Sequence, residues 1–312
     1  MKKVLIILFL ALSLQACRKD EKSEIKNEDF SKTLNDIEYI TRSRVNHDIN
    51  FMKNSLSHIE GNKNYKPKIK TVDENKLKSY LYKNINGNYK LKWIYQNFDK
   101  LDYVEKVLIG NDVDTCEFIY NKNNGKTEFN LFNGQSIDLH RKTPYYVQRD
   151  NRWAYLPLGK NEDIGISGCG PTSIAMIFSR LLNDKKINPK VISKDAQKFM
   201  TSEGILWDFF KYESDKYNLK IKNVDNNKKK IEKALNKGPL LVSVKSGYFT
   251  TLGHIIVIDS IKNDKLLIND PNSVKNSKIE CTYEDIANQI SNIWLISKWF
   301  SLVDKKIIRW YY

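Results

Sequence analysis

The stretch "GISGCGPTSIAMIFSRLL", Gly165 to Leu182, decides the reading of this chain. It runs from a glycine-punctuated loop into an apolar helical pattern. Pro171 suits the first turn of a helix, where its missing N–H has no partner to lose. Ile174, Ala175, Ile177, Phe178, Leu181 and Leu182 then form the broad apolar stripe of a buried helix. Cys169 therefore stands at a helix N-terminus, facing unpaired N–H groups and the positive end of the helix dipole. Such surroundings lower a thiol pKa from about 8.5 towards about 3.5–7.5. Gly168 and Gly170 let another backbone come close on either side. On this stretch alone two readings stand, a structural cysteine in a Gly-Pro turn and a nucleophile.

Moving outward, "LLVSV" (Leu240 to Val244), "HIIVIDSI" (His254 to Ile261) and "KLLIND" (Lys265 to Asp270) read as strands. His254 opens its strand after Gly253, and Asp270 closes the next strand before Pro271. The turn between them falls at about Lys262 to Asp264. In an antiparallel hairpin this places His254 opposite residue 271 or 273, so Asp270 lies at the same sheet end and in reach of the imidazole. Taken singly, His254 reads as a satisfied core histidine and Asp270 as a turn carboxylate. With Cys169 they supply a nucleophile, a base and an orienting group. Helical patterns at Asn188 to Met200, Trp207 to Tyr217 and Tyr283 to Ile290 surround these strands. A leading helix followed by strands joined by short turns predicts an α+β fold.

Four motifs then carry a resemblance: "QRDNRW" (Gln148 to Trp153), "GCGPTSIAM" (Gly168 to Met176), "SGYFTTLGHIIV" (Ser246 to Val257) and "INDPNS" (Ile268 to Ser273). Over about Tyr145 to Ile296 the chain resembles the papain-like bacteriocin-processing (double-glycine leader) peptidase family, in its C39-like-2 branch. The resemblance implies a papain-like domain whose N-terminal helix carries the cysteine and whose antiparallel sheet carries the histidine and aspartate. It implies Cys169 as nucleophile, His254 as general base and Asp270 as its orienter. Gln148, with the backbone N–H of Cys169, would supply the oxyanion hole. The gap from Gln148 to Cys169 is longer than in the leader peptidases. Asn269 is an alternative orienter. The sequence has no transporter segment or ATP-binding motif, so the leader-peptide substrate of the family does not carry over.

The N-terminus points to export. Lys2 and Lys3 precede an apolar run from Val4 to Leu14, too short to span a bilayer but suited to a secretory signal. The run ends in Leu14-Gln15-Ala16-Cys17, which resembles the lipobox of bacterial lipoproteins; the alternative is an ordinary signal peptide with a chance cysteine. Lipids on Cys17 would anchor the chain to a membrane. Lys+Arg number 52 against Asp+Glu 37, a formal net charge of +15. No basic run exceeds three residues and no aromatic stacking motif interleaves them, so nucleic acid is not an expected partner. Of the remaining cysteines, Cys116 and Cys281 could pair in an oxidising compartment.

The expected organisation is a signal peptide over 1–16, a tether and helical segment over 17–87, a small β-rich region over 88–141, and the papain-like peptidase domain over 142–312. The helical segment includes a helix from Asp73 to Ile85 with Leu77, Leu81 and Ile85 in line. The β-rich reading rests on "YKLKWIY", "EKVLIG", "CEFIYN", "KTEFNLF" and "QSIDL", with hairpin signals at Asn124-Gly125 and Asn133-Gly134. His47, His58 and His140 have no partner ligands, so no metal or other cofactor is expected. The chain thus reads as a lipid-anchored, extracytoplasmic cysteine peptidase acting through a thioester on a peptide, a protein or a cell-wall peptide. Its rivals are an amide-transfer enzyme using the same triad and a binding module that keeps the fold without cleaving.

Overall fold

Asp73 accepts hydrogen bonds from the N–H groups of Asn75 and Lys76 and so caps the first helix, α1 (Glu74–Asn84), where the spacing predicted it. The computed structural model describes residues 71–125, 136–160, 162–202 and 204–299. The stretches expected to be strands then depart from expectation. Asn88 caps α2 (Tyr89–Gln96) through the N–H groups of Lys90 and Leu91. Asp102 and Glu105 form a reciprocal capping box at the start of α3 (Tyr103–Asn111). A further helix, α4 (Cys116–Asn123), follows. The aromatic and β-branched residues of "YKLKWIY", "EKVLIG" and "CEFIYN" belong instead to helices. Leu77, Leu81, Ile94, Phe98, Ile109, Cys116, Phe118 and Ile119 form one core there, joined by Ala154 and Ile166. Strand propensity is a weak preference that burial of a helical stripe overrides. Gly125 takes a positive φ of 64° just past α4, so Asn124-Gly125 ends a helix rather than turning a hairpin. The Asn133-Gly134 signal and the stretch 126–132 lie outside the described residues, and 136–139 has no regular structure.

The elements expected from Gly165 onward appear in order, but a strand at Leu219–Asn223, a helix at Lys228–Leu235 and a strand at Ile290–Lys298 were not expected, and the helical stretch expected over 283–290 is helical only to Gln289. Helix α5 (Cys169–Leu182) ends at Asn183 in the left-handed region. Helices α6 (Pro189–Ala196) and α7 (Asp208–Lys216) come next, then strand β1 (Leu219–Asn223) and helix α8 (Lys228–Leu235). Strands β2 (Leu240–Val244), β3 (His254–Lys262), β4 (Lys265–Asn269) and β5 (Ile290–Lys298) complete an antiparallel sheet of order β1-β5-β2-β3-β4.

Alternation along the strands sorts side chains onto two faces. Leu241, Ile255, Val257, Trp294 and Ile296 pack against Ile174, Ile177 and Phe178 of α5. Leu240, Val242, Val244, Ile256, Ile258, Ile293 and Leu295 face the other way, against Ile231 and Leu235 of α8. Strand β2 is central and buried at all five positions, which is why it reads as an unbroken apolar run. Each such aliphatic or Phe side chain contributes about 1.5–3 kcal/mol on burial. Helix α5 is thereby pressed onto the sheet with its N-terminus beside the start of β3.

The β3–β4 hairpin turns at Asn263 and Asp264, both with positive φ (50° and 61°). A two-residue loop of this kind matches the strand twist. A bulge between Ile258 and Ser260 then shifts the register by one, so that Val257 pairs with Asn269. The carboxylate of Asp259, at the bulge, accepts from the N–H of Thr143 at 2.7 Å and from Arg180 at 3.1 Å. The position facing His254 therefore falls between the two expected from an unbroken hairpin. Among the described residues no helix is long and apolar enough to cross a membrane.

Candidate active site

Cys169 is the first residue of α5 and keeps part of its surface exposed. His254 opens β3 and is 7% exposed, while Asp270, just past the end of β4, is fully buried. The structure brings the three together. His254 Nε2 lies 2.7 Å from Asp270 Oδ1. Cys169 and His254 are hydrogen-bonded through their side chains. With Nε2 committed to Asp270, Nδ1 is the ring nitrogen left for the sulfur.

The electrostatics favour an ion pair. Burial pushes the Cys169 thiol up, but the hydrogen bond and charge of His254 outweigh it, helped by the N–H groups of Ile255 and Gly170, and the thiol sits below its usual value. Burial likewise pushes His254 down. The charge and hydrogen bond of Asp270, then the contact with Cys169, raise it from 6.5 to about 9. Asp270 is held below the ordinary carboxylate range, against its burial, by His254, Asn276 and the N–H of Asn272.

Asp270 owes its aim to a turn. Ser273 N–H donates to the Asp270 carbonyl at 3.2 Å, with Pro271 at the second position, which its fixed φ suits. Asp270 Oδ1 also accepts from Asn272 N–H at 2.8 Å, and Oδ2 accepts from Asn276 Nδ2 at 2.7 Å. Arg149, itself buried, donates both terminal nitrogens to Asn272. Asn276 and Arg149 were not singled out from the sequence. The Asp-Pro-Asn-Ser turn was a visible signal for the residues after Asp270, whereas nothing local tied Arg149 to them.

Asn269 has a different task. Its Oδ1 accepts from Arg141 at 2.7 Å and its Nδ2 faces the carbonyls of Thr143 and Pro144, so it does not orient His254. Gln148 is 2% exposed. Its backbone N–H donates to Pro271 O at 2.8 Å, and its Nε2 donates to Gly165 O at 3.0 Å and Ile166 O at 3.2 Å. It braces the turn before Cys169 while lying close to the Asp270 loop. Cys116 and Cys281 are buried free thiols in two separate cores and do not pair. Burial pushes both up, Cys281 to about 12, so both thiols stay protonated near neutral pH. His140 is exposed beside Asp138, 3.4 Å away. Cys17, His47 and His58 lie outside the described residues. Among the described residues no group of three or more His, Cys, Asp or Glu side chains could hold a metal ion.

A thiol at a helix N-terminus, an imidazole on the facing sheet and a buried carboxylate behind it make the constellation of a papain-like cysteine peptidase. The chain belongs to the Peptidase C39-like family, whose model matches residues 140–299. Among solved structures it is similar to the peptidase domain of Streptococcus ComA, described as a bi-functional ABC transporter involved in a quorum-sensing pathway. That likeness is at 15% identity over 43% of this chain and 93% of the other, with a TM-score of 0.33. No curated protein matches the sequence.

Proposed function

We propose that this protein is a lipid-anchored, extracytoplasmic cysteine peptidase that hydrolyses peptide or amide bonds through Cys169, His254 and Asp270. The observation that carries the reading is the 2.7 Å contact between His254 Nε2 and the buried Asp270 Oδ1, with Cys169 hydrogen-bonded to the same imidazole. The Cys169 thiolate attacks the carbonyl carbon, and the electron pair of the C=O bond moves to oxygen. The backbone N–H of Cys169 receives that oxyanion. Gln148 joins it by releasing one amide hydrogen from Gly165 O or Ile166 O. Collapse breaks the C–N bond, and His254 gives the Nδ1 proton to the leaving amine. A thioester remains. Water then attacks it, His254 takes the water proton, and the carboxylate product leaves with the thiolate restored. Asp270 keeps its charge throughout and holds the ring in place. The substrate class is a peptide, a protein or a cell-wall peptide stem.

Export and anchoring are supported by Lys2-Lys3, the short apolar run to Leu14 and the Ala16-Cys17 junction. Cys169→Ala is expected to abolish turnover of a peptide and muropeptide library while leaving the melting temperature nearly unchanged. A large loss of stability with residual turnover would instead make Cys169 structural. In detergent-phase partitioning, wild type enters the detergent and Cys17→Ser stays aqueous. A wild type that remains aqueous ends the lipoprotein reading.

A further inference from the structure

The family match begins at residue 140, and helices α1 to α4 lie before it. Yet two adjacent residues at the end of α3 reach both loops that carry the site. Asn111 Oδ1 accepts the backbone N–H of Thr251 at 2.8 Å. Asp112 Oδ2 accepts from Ser273 Oγ at 3.1 Å, and its other oxygen faces Lys275 Nζ at 3.8 Å. Lys275 also pairs with Asp114. Thr251 stands three residues before His254 and Ser273 three residues after Asp270.

Both contacts are costly to lose. Residues 246–251 form a loop buried throughout, with Thr251 at 0% exposure. A buried backbone N–H stripped of its partner destabilises the conformation that buries it. The loop would relax towards water, and His254 lies at its end. On the other side, Ser273 caps the turn 274–277, donates its own N–H to Asp270 O, and precedes Asn276, which binds Asp270 Oδ2. Asp112 thus acts on the turn that aims the carboxylate. Asp112 is itself fixed, because its Oδ1 accepts from Asp114 N–H at 3.0 Å.

We propose that Asn111 and Asp112 are positioning residues of the active site, holding the loops of His254 and Asp270 at hydrogen-bonding separation from outside the family-matched region. The helical layer is on this view part of the catalytic apparatus rather than a spacer. The proposal rests on the function proposed above, and the test keeps the two apart.

The test is the pH dependence of iodoacetamide alkylation at Cys169 in the full chain, read by peptide mass spectrometry and normalised to folded protein. It needs no substrate and reports how well His254 is held against the thiolate. Wild type is expected to react well below pH 8, and His254→Ala to lose that acidic limb. Asn111→Leu keeps the size of the side chain and removes the acceptor; alkylation at pH 6 should fall about tenfold and the midpoint should move up. Asn111→Asp restores an acceptor oxygen and should stay within about twofold of wild type. Asp112→Ala removes both acceptor oxygens, leaving Ser273 Oγ and Asp114 N–H without this partner, and should behave like Asn111→Leu; it carries the test if Asn111→Leu does not fold. Folded Asn111→Leu and Asp112→Ala with wild-type profiles would overturn the positioning role while leaving the proposed peptidase intact. A His254→Ala profile equal to wild type would overturn the proposed function, and the positioning role with it.

Discussion

Replacing Asp270 by Asn removes one charge from the base of the site without changing its shape. The three donors around Asp270 make the outcome calculable. Oδ1 serves His254 Nε2 at 2.7 Å and Asn272 N–H at 2.8 Å, while Oδ2 serves Asn276 Nδ2 at 2.7 Å. An asparagine has one acceptor oxygen for these two sides. If it faces His254, two amide NH2 groups meet at Asn276. If it faces Asn276, it offers His254 a donor and forces the proton onto the wrong ring nitrogen. The charge matters as much. Asp270 is the leading cause that lifts His254 from 6.5 to about 9 against its burial. That elevation corresponds to about 3 kcal/mol in favour of the imidazolium. Losing all of it costs a factor of about 300 in rate, and keeping one neutral hydrogen bond leaves a loss of about tenfold. The expected fall in kcat/KM is therefore about 10- to 300-fold, with the alkaline limb of the pH–rate profile moving down from near 9. His254→Ala should cost more, because it removes the base. The assay is kcat/KM against pH on the best library peptide, normalised to folded protein, with alkylation of Cys169 alongside. An Asp270→Asn enzyme with wild-type rate and an unmoved alkaline limb would refute the argument that this carboxylate holds the imidazolium.

Two further expectations come from other buried groups. Gln148→Ala should lower kcat by about 100-fold if the amide reaches the oxyanion, alongside a lower melting temperature from the lost bonds to Gly165 and Ile166; full activity per folded molecule would confine Gln148 to bracing the turn. Glu213, on α7, is fully buried with neither carboxylate oxygen hydrogen-bonded, and burial, then the charge of Asp195, push it up to about 7. The folded state therefore holds this proton more tightly than the unfolded chain. The stability it contributes is complete below pH 4.5 and is lost as pH rises to about 7. Glu213→Gln should match wild type at pH 4.5 and exceed it at pH 8 by up to about 3 kcal/mol in urea unfolding; an equal difference at both pH values would contradict this.

Where local signals were strong, the sequence was sufficient. Pro171 and the stripe from Ile174 to Leu182 define α5 and put Cys169 at its start, because helix entry and helix burial are both written in short-range spacing. Strands β2 to β4 are legible for a related reason: a strand buried on both faces reads as a plain apolar run. A short hairpin brings the Asn269-Asp270 end of β4 to His254 but does not choose between the two. Among the described residues, the four helices before the family-matched region were only half legible. Leu77 and Leu81 betray α1, whereas the aromatics of "YKLKWIY" and "CEFIYN" suit a strand as well as a helix face. The capping box at Asp102 and Glu105 was the local sign that favoured helix.

The rest was settled by tertiary structure. The choice of Asp270 over Asn269 depends on the bulge at Asp259 and on Arg141, which takes the asparagine elsewhere. Pairing of β5 between β1 and β2, and the clamp of Asn111 and Asp112 on loops more than a hundred residues away, join positions whose separation along the chain carries no periodic signal. Residue chemistry and short-range spacing could therefore single out Cys169, His254 and Asp270. Only packing, which decides which distant backbone lies against which, could set the distances and charges between them.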